Sequence, residues 1–237
     1  MMYGWRLRIG LIVPSSNTTM ESEFHAMRPE GVSVHTARMR LVEATPEELR
    51  RMAEDAQRAA ELLATADVDV IIYGCTTGSL VGGVEWEEEL RERIEGETGV
   101  ETLTTAGAVV EALRALGVKR VCVATPYIRE LDELEARFLG EQGFEVLAIR
   151  GLGLRRNTEI GGLPPWTAYR LAREAYREEA DGVFISCTNF RTIEVIEPLE
   201  RELGKPVVTS NQASMWAALR LRRLPLEGYG RLLRGRV

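Results

Sequence analysis

Val68-Asp69-Val70-Ile71-Ile72-Tyr73-Gly74-Cys75-Thr76-Thr77 is a short apolar run that stops at a glycine, a cysteine and two hydroxyl residues. β-Branched residues without helical spacing read as a buried strand, and the polar tail as the turn beyond it. The pattern returns at Gly182-Val183-Phe184-Ile185-Ser186-Cys187-Thr188-Asn189, where Cys187 lies 112 residues after Cys75. A second pair keeps that offset: Val13-Pro14-Ser15 and Thr125-Pro126-Tyr127, with Pro126 lying 112 residues after Pro14. Each member sits at the end of an apolar strand. Two matches at one offset, both at strand ends, indicate a duplicated α/β unit.

Working outward, strands are expected at 8–13, 32–41, 68–73, 100–103, 120–124, 145–149, 182–186 and 206–208. Helices are expected at 46–66, 85–97, 106–116, 130–141, 165–179, 193–203 and 213–221, with a glycine-rich loop over 151–162. The first of these helices is capped by Thr45 and has Pro46 at its first position. Alternating strands and helices predict parallel sheets covered on both faces. The fold class expected is therefore α/β, with two pseudo-symmetric lobes, each a mainly parallel sheet flanked by helices, and an active site between them. The lobes are expected to comprise 1–105 with 212–237, and 106–211. Open α/β sheets bind ligands at the carboxyl ends of their strands, where both cysteines lie.

The chain has 237 residues, 45% hydrophobic and 28% charged, enough to build a core without disulfide or metal staples. Its net charge of −6 argues against a broad nucleic-acid footprint. Three cysteines make no disulfide framework, and none has the CxxC spacing of a zinc site. No GxGxxG or P-loop follows a strand, so no nucleotide is expected. The chain also shows no signal peptide and no run of about 18 apolar residues that would span a membrane. A cytoplasmic protein without a cofactor or metal is the expectation.

Chemistry concentrates at the strand ends. Cys75 and Cys187 each precede hydroxyl residues and a helix, a setting whose backbone N–H groups favour thiolate. Cys122, inside the strand 120–124, reads as core. Thr76, Thr77, Ser79 and Thr188 add hydroxyls, and Tyr127 adds a phenol. All four asparagines, Asn17, Asn157, Asn189 and Asn211, fall after strands. Neutral amides donate to carboxylate oxygens without carrying charge. His25 and His35, the only histidines, lie outside these loops, which disfavours Cys-His or Ser-His-Asp catalysis. The charge-dense stretch 85–97 reads as a solvated helix face.

Taken in order, Val13-Pro14-Ser15-Ser16-Asn17-Thr18, Gly74-Cys75-Thr76-Thr77-Gly78-Ser79, Thr125-Pro126-Tyr127 and Ser186-Cys187-Thr188 resemble the aspartate/glutamate racemase superfamily. Within it they look most like the maleate cis-trans isomerase and arylmalonate decarboxylase branch. The resemblance implies cofactor-independent chemistry on a small carboxylate held between two lobes. It implies Cys75 as nucleophile and Cys187 as its acid/base partner. It places the carboxylate on Asn17, Tyr127 and Asn157. Backbone N–H groups of the Cys75-Thr76-Thr77 and Cys187-Thr188-Asn189 turns are expected to help hold the substrate's two carboxylates.

Glutamate racemases carry an Asp in the first loop and a His after the second cysteine, where this chain has Ser15 or Ser16 and Asn189. No carboxylate in either cysteine loop awaits an ammonium group. Arylmalonate decarboxylases replace the first cysteine by glycine, whereas Cys75 is present here. The expectation is cis–trans isomerisation of maleate or a related dicarboxylate. An arylmalonate-type decarboxylase, an Asp/Glu/hydantoin-type racemase and a carboxylate-binding module without chemistry are the alternatives. A small dicarboxylate is the expected partner, and self-association into a homo-oligomer is left open.

Overall fold

A computed structural model describes residues 3–234. Residues 1, 2 and 235–237, which fall within the expected first lobe, lie outside the described residues. The first half runs β1 (Leu7–Pro14), α1 (Met20–Met27), β2 (Val32–Met39), α2 (Pro46–Met52), α3 (Ala56–Ala64), β3 (Val70–Tyr73), α4 (Thr76–Leu80), α5 (Val84–Thr98), β4 (Thr102–Thr104) and α6 (Thr105–Ala115). The second half runs β5 (Arg120–Thr125), α7 (Arg129–Glu141), β6 (Glu145–Gly151), α8 (Asn157–Gly161), α9 (Pro165–Ala175), β7 (Gly182–Ile185), α10 (Ile196–Leu203), β8 (Val207–Thr209), α11 (Ser210–Arg220) and α12 (Arg231–Arg234).

The strands form two four-stranded sheets, ordered β2-β1-β3-β4 and β6-β5-β7-β8, with every pairing parallel. The identical order is the three-dimensional form of the 112-residue repeat. In each sheet the strand order reverses once, between β1 and β3 and between β5 and β7. Loops leaving such a switch point diverge to opposite faces and leave a crevice. Asn17 and Cys75 follow the two strands of the first switch point, and Tyr127 and Cys187 those of the second.

Packing explains where the sequence and structure differ. The helix expected over 46–66 is two helices, because a 3-10 turn at Ala53–Asp55 redirects the chain. Thr45 does cap the first, accepting from the Glu48 amide. The loop at 151–162 contains the one-turn helix α8. Helix α1 is absent from the sequence expectation altogether. Its start is held by a side chain upstream of the usual cap position: the Asn17 carbonyl oxygen accepts from the Thr19 and Met20 amides, both at 3.0 Å. Helix α11 is buried from Ser210 through Leu219. Met215, Ala218 and Leu219 pack with Leu7, Leu11 and Phe24, while Trp216 and Ala217 pack with Val109, Val123 and Phe184. A helix buried on all sides needs partners on all sides, and the polar Ser210, Asn211, Gln212 and Ser214 find hydrogen bonds there.

A strap joins the two halves beyond the strand ends. The Ala44 amide donates to the Arg155 carbonyl at 2.7 Å, the Asn157 amide to the Val42 carbonyl at 3.2 Å, and Glu43 bridges Arg156 in antiparallel fashion. Leu41 and Ala44 belong to the same buried cluster as Cys75, Tyr127, Ile160 and Cys187. Among the described residues no helix is long and apolar enough to cross a membrane.

Candidate active site

Each thiol stands at the end of a central strand, and the local backbone differs between them. Gly74 has no tolerance for a side chain, because a Cβ there would meet the Ile12 carbonyl and the Met20 sulfur, both at 2.7 Å. That close approach sets Cys75 at the N-cap of α4 in extended conformation, φ −146°. Cys187 instead has φ +98°, a backbone region that L-residues avoid at a cost of order 1–3 kcal/mol. Its amide donates to the Ser210 hydroxyl at 3.1 Å, and the Asn189 amide turns back to the Cys187 sulfur at 3.3 Å. The strain is held by these bonds, and the second of them fixes the thiol against its own turn.

The two cysteine turns are tied together. Ser210 accepts from the Cys187 amide and from the Thr76 hydroxyl at 2.9 Å. The Thr188 hydroxyl donates to the Gly74 carbonyl at 3.1 Å and accepts from the Asn17 side chain at 3.0 Å. Asn189 accepts from the Thr18 amide at 2.9 Å and donates to the Asn157 carbonyl at 2.7 Å. The Asn157 amide reaches Ser16 at 2.9 Å. The Tyr127 hydroxyl lies beside the Cys187 sulfur and the Thr77 hydroxyl beside that of Cys75, each favouring the charged form. All nine site residues named from the sequence are thus gathered around one inter-sheet region. The backbone N–H groups expected to meet carboxylates are partly used already: that of Cys75 donates to the Tyr73 carbonyl, and those of Cys187 and Asn189 as described.

One expectation is overturned. The strand-end turns do not lower the thiol pKa values. Cys75 is 5% and Cys187 6% exposed, and burial dominates. It pushes Cys75 up to about 11, against the opposing Gly78 N–H and Thr77 hydroxyl. It pushes Cys187 up to about 12, against the Tyr127 hydroxyl and the Asn189 N–H, and the nearby Cys75 and Glu135 raise it further. Losing water costs a thiolate more than two or three hydrogen bonds return. Both groups rest as thiols at neutral pH.

The structure also brings in residues that the motif reading missed. Glu23 on α1 accepts from the Thr192 and Ile193 amides at 2.7 and 3.2 Å and from the Asn211 side chain at 2.7 Å. Asn211 in turn donates to the Thr188 carbonyl at 3.0 Å. Glu135 on α7 accepts from the Ser186 hydroxyl at 2.6 Å. These two carboxylates are themselves 112 residues apart. A signal existed: each lies on the apolar stripe of its helix, Met20-Glu23-Phe24-Met27 and Leu131-Glu135-Phe138-Leu139. Ser210 was signalled only by Thr209-Ser210 standing before a helix, as Thr104-Thr105 does before α6. Arg191 is exposed and paired with Glu194 at 2.5 Å. Cys122 is buried in β5, as expected for core. No group of three or more His, Cys, Asp or Glu that could hold a metal occurs among the described residues.

Two repeated parallel sheets, with a thiol at the switch point of each and neutral amides and hydroxyls linking the two turns, define a two-lobed α/β class of cysteine-pair protein. Comparison with known proteins gives the family. The arylmalonate decarboxylase family model matches residues 9–233, and the chain belongs to that family. It is 37% identical to a maleate isomerase of Nocardia farcinica, over 96% of this chain and 95% of the relative. Among solved structures, a cysteine-to-alanine variant of the maleate isomerase Iso of Pseudomonas putida S16 with maleate superposes with a TM-score of 0.93 at 33% identity, over 97% of this chain and 98% of that one. A cysteine-to-serine mutant of the Nocardia farcinica maleate cis-trans isomerase, with a covalently bound succinylcysteine intermediate, superposes with a TM-score of 0.92 at 34% identity, over 96% and 98%.

Proposed function

We propose that this protein is an isomerase that converts maleate, or a closely related cis-enedioate, to its trans form through the Cys75–Cys187 pair, with no cofactor taking part. The observation that carries this reading is the pair itself: two buried thiols at symmetric strand ends, tied through Ser210 and surrounded by amides and hydroxyls. The maleate-bound and succinylcysteine-bound structures of similar proteins support it.

The raised thiol pKa values suit addition of a whole thiol across the double bond. The Cys75 sulfur bonds to C2 as its proton leaves for Cys187, and Cys187 delivers its own proton to C3. Atoms and charge balance, and neither thiol need be ionised beforehand. The C2–C3 bond is then single and rotates. The C2–S bond then breaks as Cys187 passes its proton to the leaving Cys75 sulfur and takes one from C3, and the trans product forms with both thiols restored. Charge that gathers on the adjacent carboxylate during addition is met by preorganised donors, which contribute several kcal/mol in such sites. Asn17, Tyr127 and Asn157 are the carboxylate-holding side chains in this reading, with Thr76, Thr77, Thr188 and Asn189 shaping the two turns.

The test is proton NMR of the purified protein with maleate, arylmalonates, aspartate and hydantoins in deuterated buffer. Conversion of the maleate signal to that of fumarate is expected. Loss of carbon dioxide from an arylmalonate, or exchange at an amino-acid α-carbon with maleate untouched, would sink the isomerase reading. Asn17→Ala should weaken maleate binding about tenfold, the worth of one well-placed donor to a charged group, and Arg191→Ala by less than about twofold. Titration calorimetry checks the order, and the reverse would mean that the anion site is misplaced.

We further place the lobe division at residues 105/106, with 212–234 returning to the first lobe, a division supported by the packing of Met215, Ala218 and Leu219 of α11 on Leu7 and Leu11. A small dicarboxylate in the cytoplasm is the proposed setting, and light scattering would show whether two copies associate.

A further inference from the structure

Ser186 has one proton and two claimants. Its hydroxyl lies 2.6 Å from a Glu135 carboxylate oxygen and 3.4 Å from the Tyr127 hydroxyl. The Tyr127 hydroxyl in turn lies close enough to the Cys187 sulfur to favour its charged form. A hydroxyl donates once. If Glu135 is ionised, the Ser186 proton turns toward it, and the chain runs away from Cys187. If Glu135 carries a proton, it donates to Ser186, Ser186 donates to Tyr127, and Tyr127 donates to the Cys187 sulfur. The other Glu135 oxygen, buried, has no hydrogen-bond partner. An orphaned carboxylate oxygen in a dry site favours the neutral acid.

We propose that Glu135 is a positioning residue whose protonation directs the Glu135–Ser186–Tyr127 chain toward Cys187, and whose ionisation reverses that chain. The inference rests on the isomerase reading for its purpose: it supports Cys187 while that sulfur is between protons. No bond other than O–H and S–H hydrogen bonds changes, and one proton leaves Glu135 to solvent on ionisation. Burial pushes Glu135 up to about 8, against the Ser186 hydrogen bond. The groups facing it are Asp132 on its own helix and Tyr127 and Cys187 across the site. Helix α4 brings no ionisable side chain, and the ionisable residues of β6, Glu145 and Arg150, are exposed.

The experiment is iodoacetamide alkylation of the whole protein across pH 6–10, with rates at Cys187 read by peptide mass spectrometry. For the wild type, the logarithm of the rate should climb with pH, bend near 8 and flatten. In Glu135→Gln, permanently neutral and still a donor, the bend should vanish, leaving the variant up to about tenfold faster at high pH, one pKa unit of coupling. In Ser186→Ala the bend should also vanish. A bend unchanged in Glu135→Gln overturns the proposal; should that variant fail to fold, a bend persisting in Ser186→Ala overturns it equally, since the charge would then act without the chain. A carboxylate that only packs would instead slow alkylation at every pH. With maleate, kcat of the wild type should fall above about pH 8 at constant KM, and the fall should be missing in Glu135→Gln. If maleate is untouched by the wild type while the bend behaves as described, the chain stands and the isomerase reading falls.

Discussion

Turnover of maleate should be abolished in Cys75→Ser, with a loss of at least about a thousandfold, because a nucleophile is irreplaceable by the groups around it. A serine hydroxyl is a far weaker nucleophile than a thiol, and its proton is harder to remove. Among the described residues no histidine or carboxylate stands against Cys75 to assist; the Gly78 N–H and the Thr77 hydroxyl are the groups that favour its charged form. The fold should be unaffected, since the substitution is nearly isosteric and the extended backbone at φ −146° suits either residue. Circular dichroism matched to the wild type, together with the NMR assay, checks this. Full activity in Cys75→Ser would overturn the assignment of the nucleophile.

Cys187→Ser should act differently. Losing a positioned acid/base costs about 10²–10⁴-fold, and a hydroxyl in the same place retains a trace of the function. KM should change little, because the carboxylate donors are elsewhere. The addition step can still proceed slowly while the return proton transfer fails, so a covalent adduct should persist on the peptide containing Cys75. Mass spectrometry after brief incubation with maleate reads this out. An adduct confined to the Cys187 peptide of the wild type would exchange the two roles.

The repeat made most of the fold legible. Identical spacing of Pro14/Pro126 and Cys75/Cys187 anticipated two related lobes with parallel sheets, and both cysteines lie at strand ends. The difficult parts were those fixed by distant partners. Helix α1 depends on Asn17, whose carbonyl oxygen caps it while its amide crosses to Thr188 in the other half. A reading that pairs asparagine with ligand alone overlooks that structural task. Glu23 and Glu135 were hidden because a charged residue in a polar helix reads as solvated, and only their position on an apolar stripe marks them as buried. The thiols were misjudged for the same reason. Local motifs report the donors near a sulfur, whereas its water is removed by side chains far along the chain, such as Leu41 and Ile160.

The buried acids have a consequence for heat resistance. Glu23, Asp132 and Glu135 are pushed up, chiefly by burial, to about 7, 6 and 8. In an unfolded chain the same groups release their protons near pH 4. Between there and pH 8 the native state therefore holds protons that the unfolded state has lost. Stability then declines as pH rises, by up to about 1.4 kcal/mol for each group and each pH unit within its window. At this chain length that corresponds to about 2–4 °C in Tm per kcal/mol. The melting temperature should thus be higher at pH 5.5 than at pH 9, and Glu135→Gln should flatten the slope between pH 6 and 8. Scanning calorimetry would show it. A melting point that climbs steadily to pH 9 would mean that these acids are ionised in the folded protein. The proton inventory that holds Cys187 ready would then also set the alkaline limit of the fold.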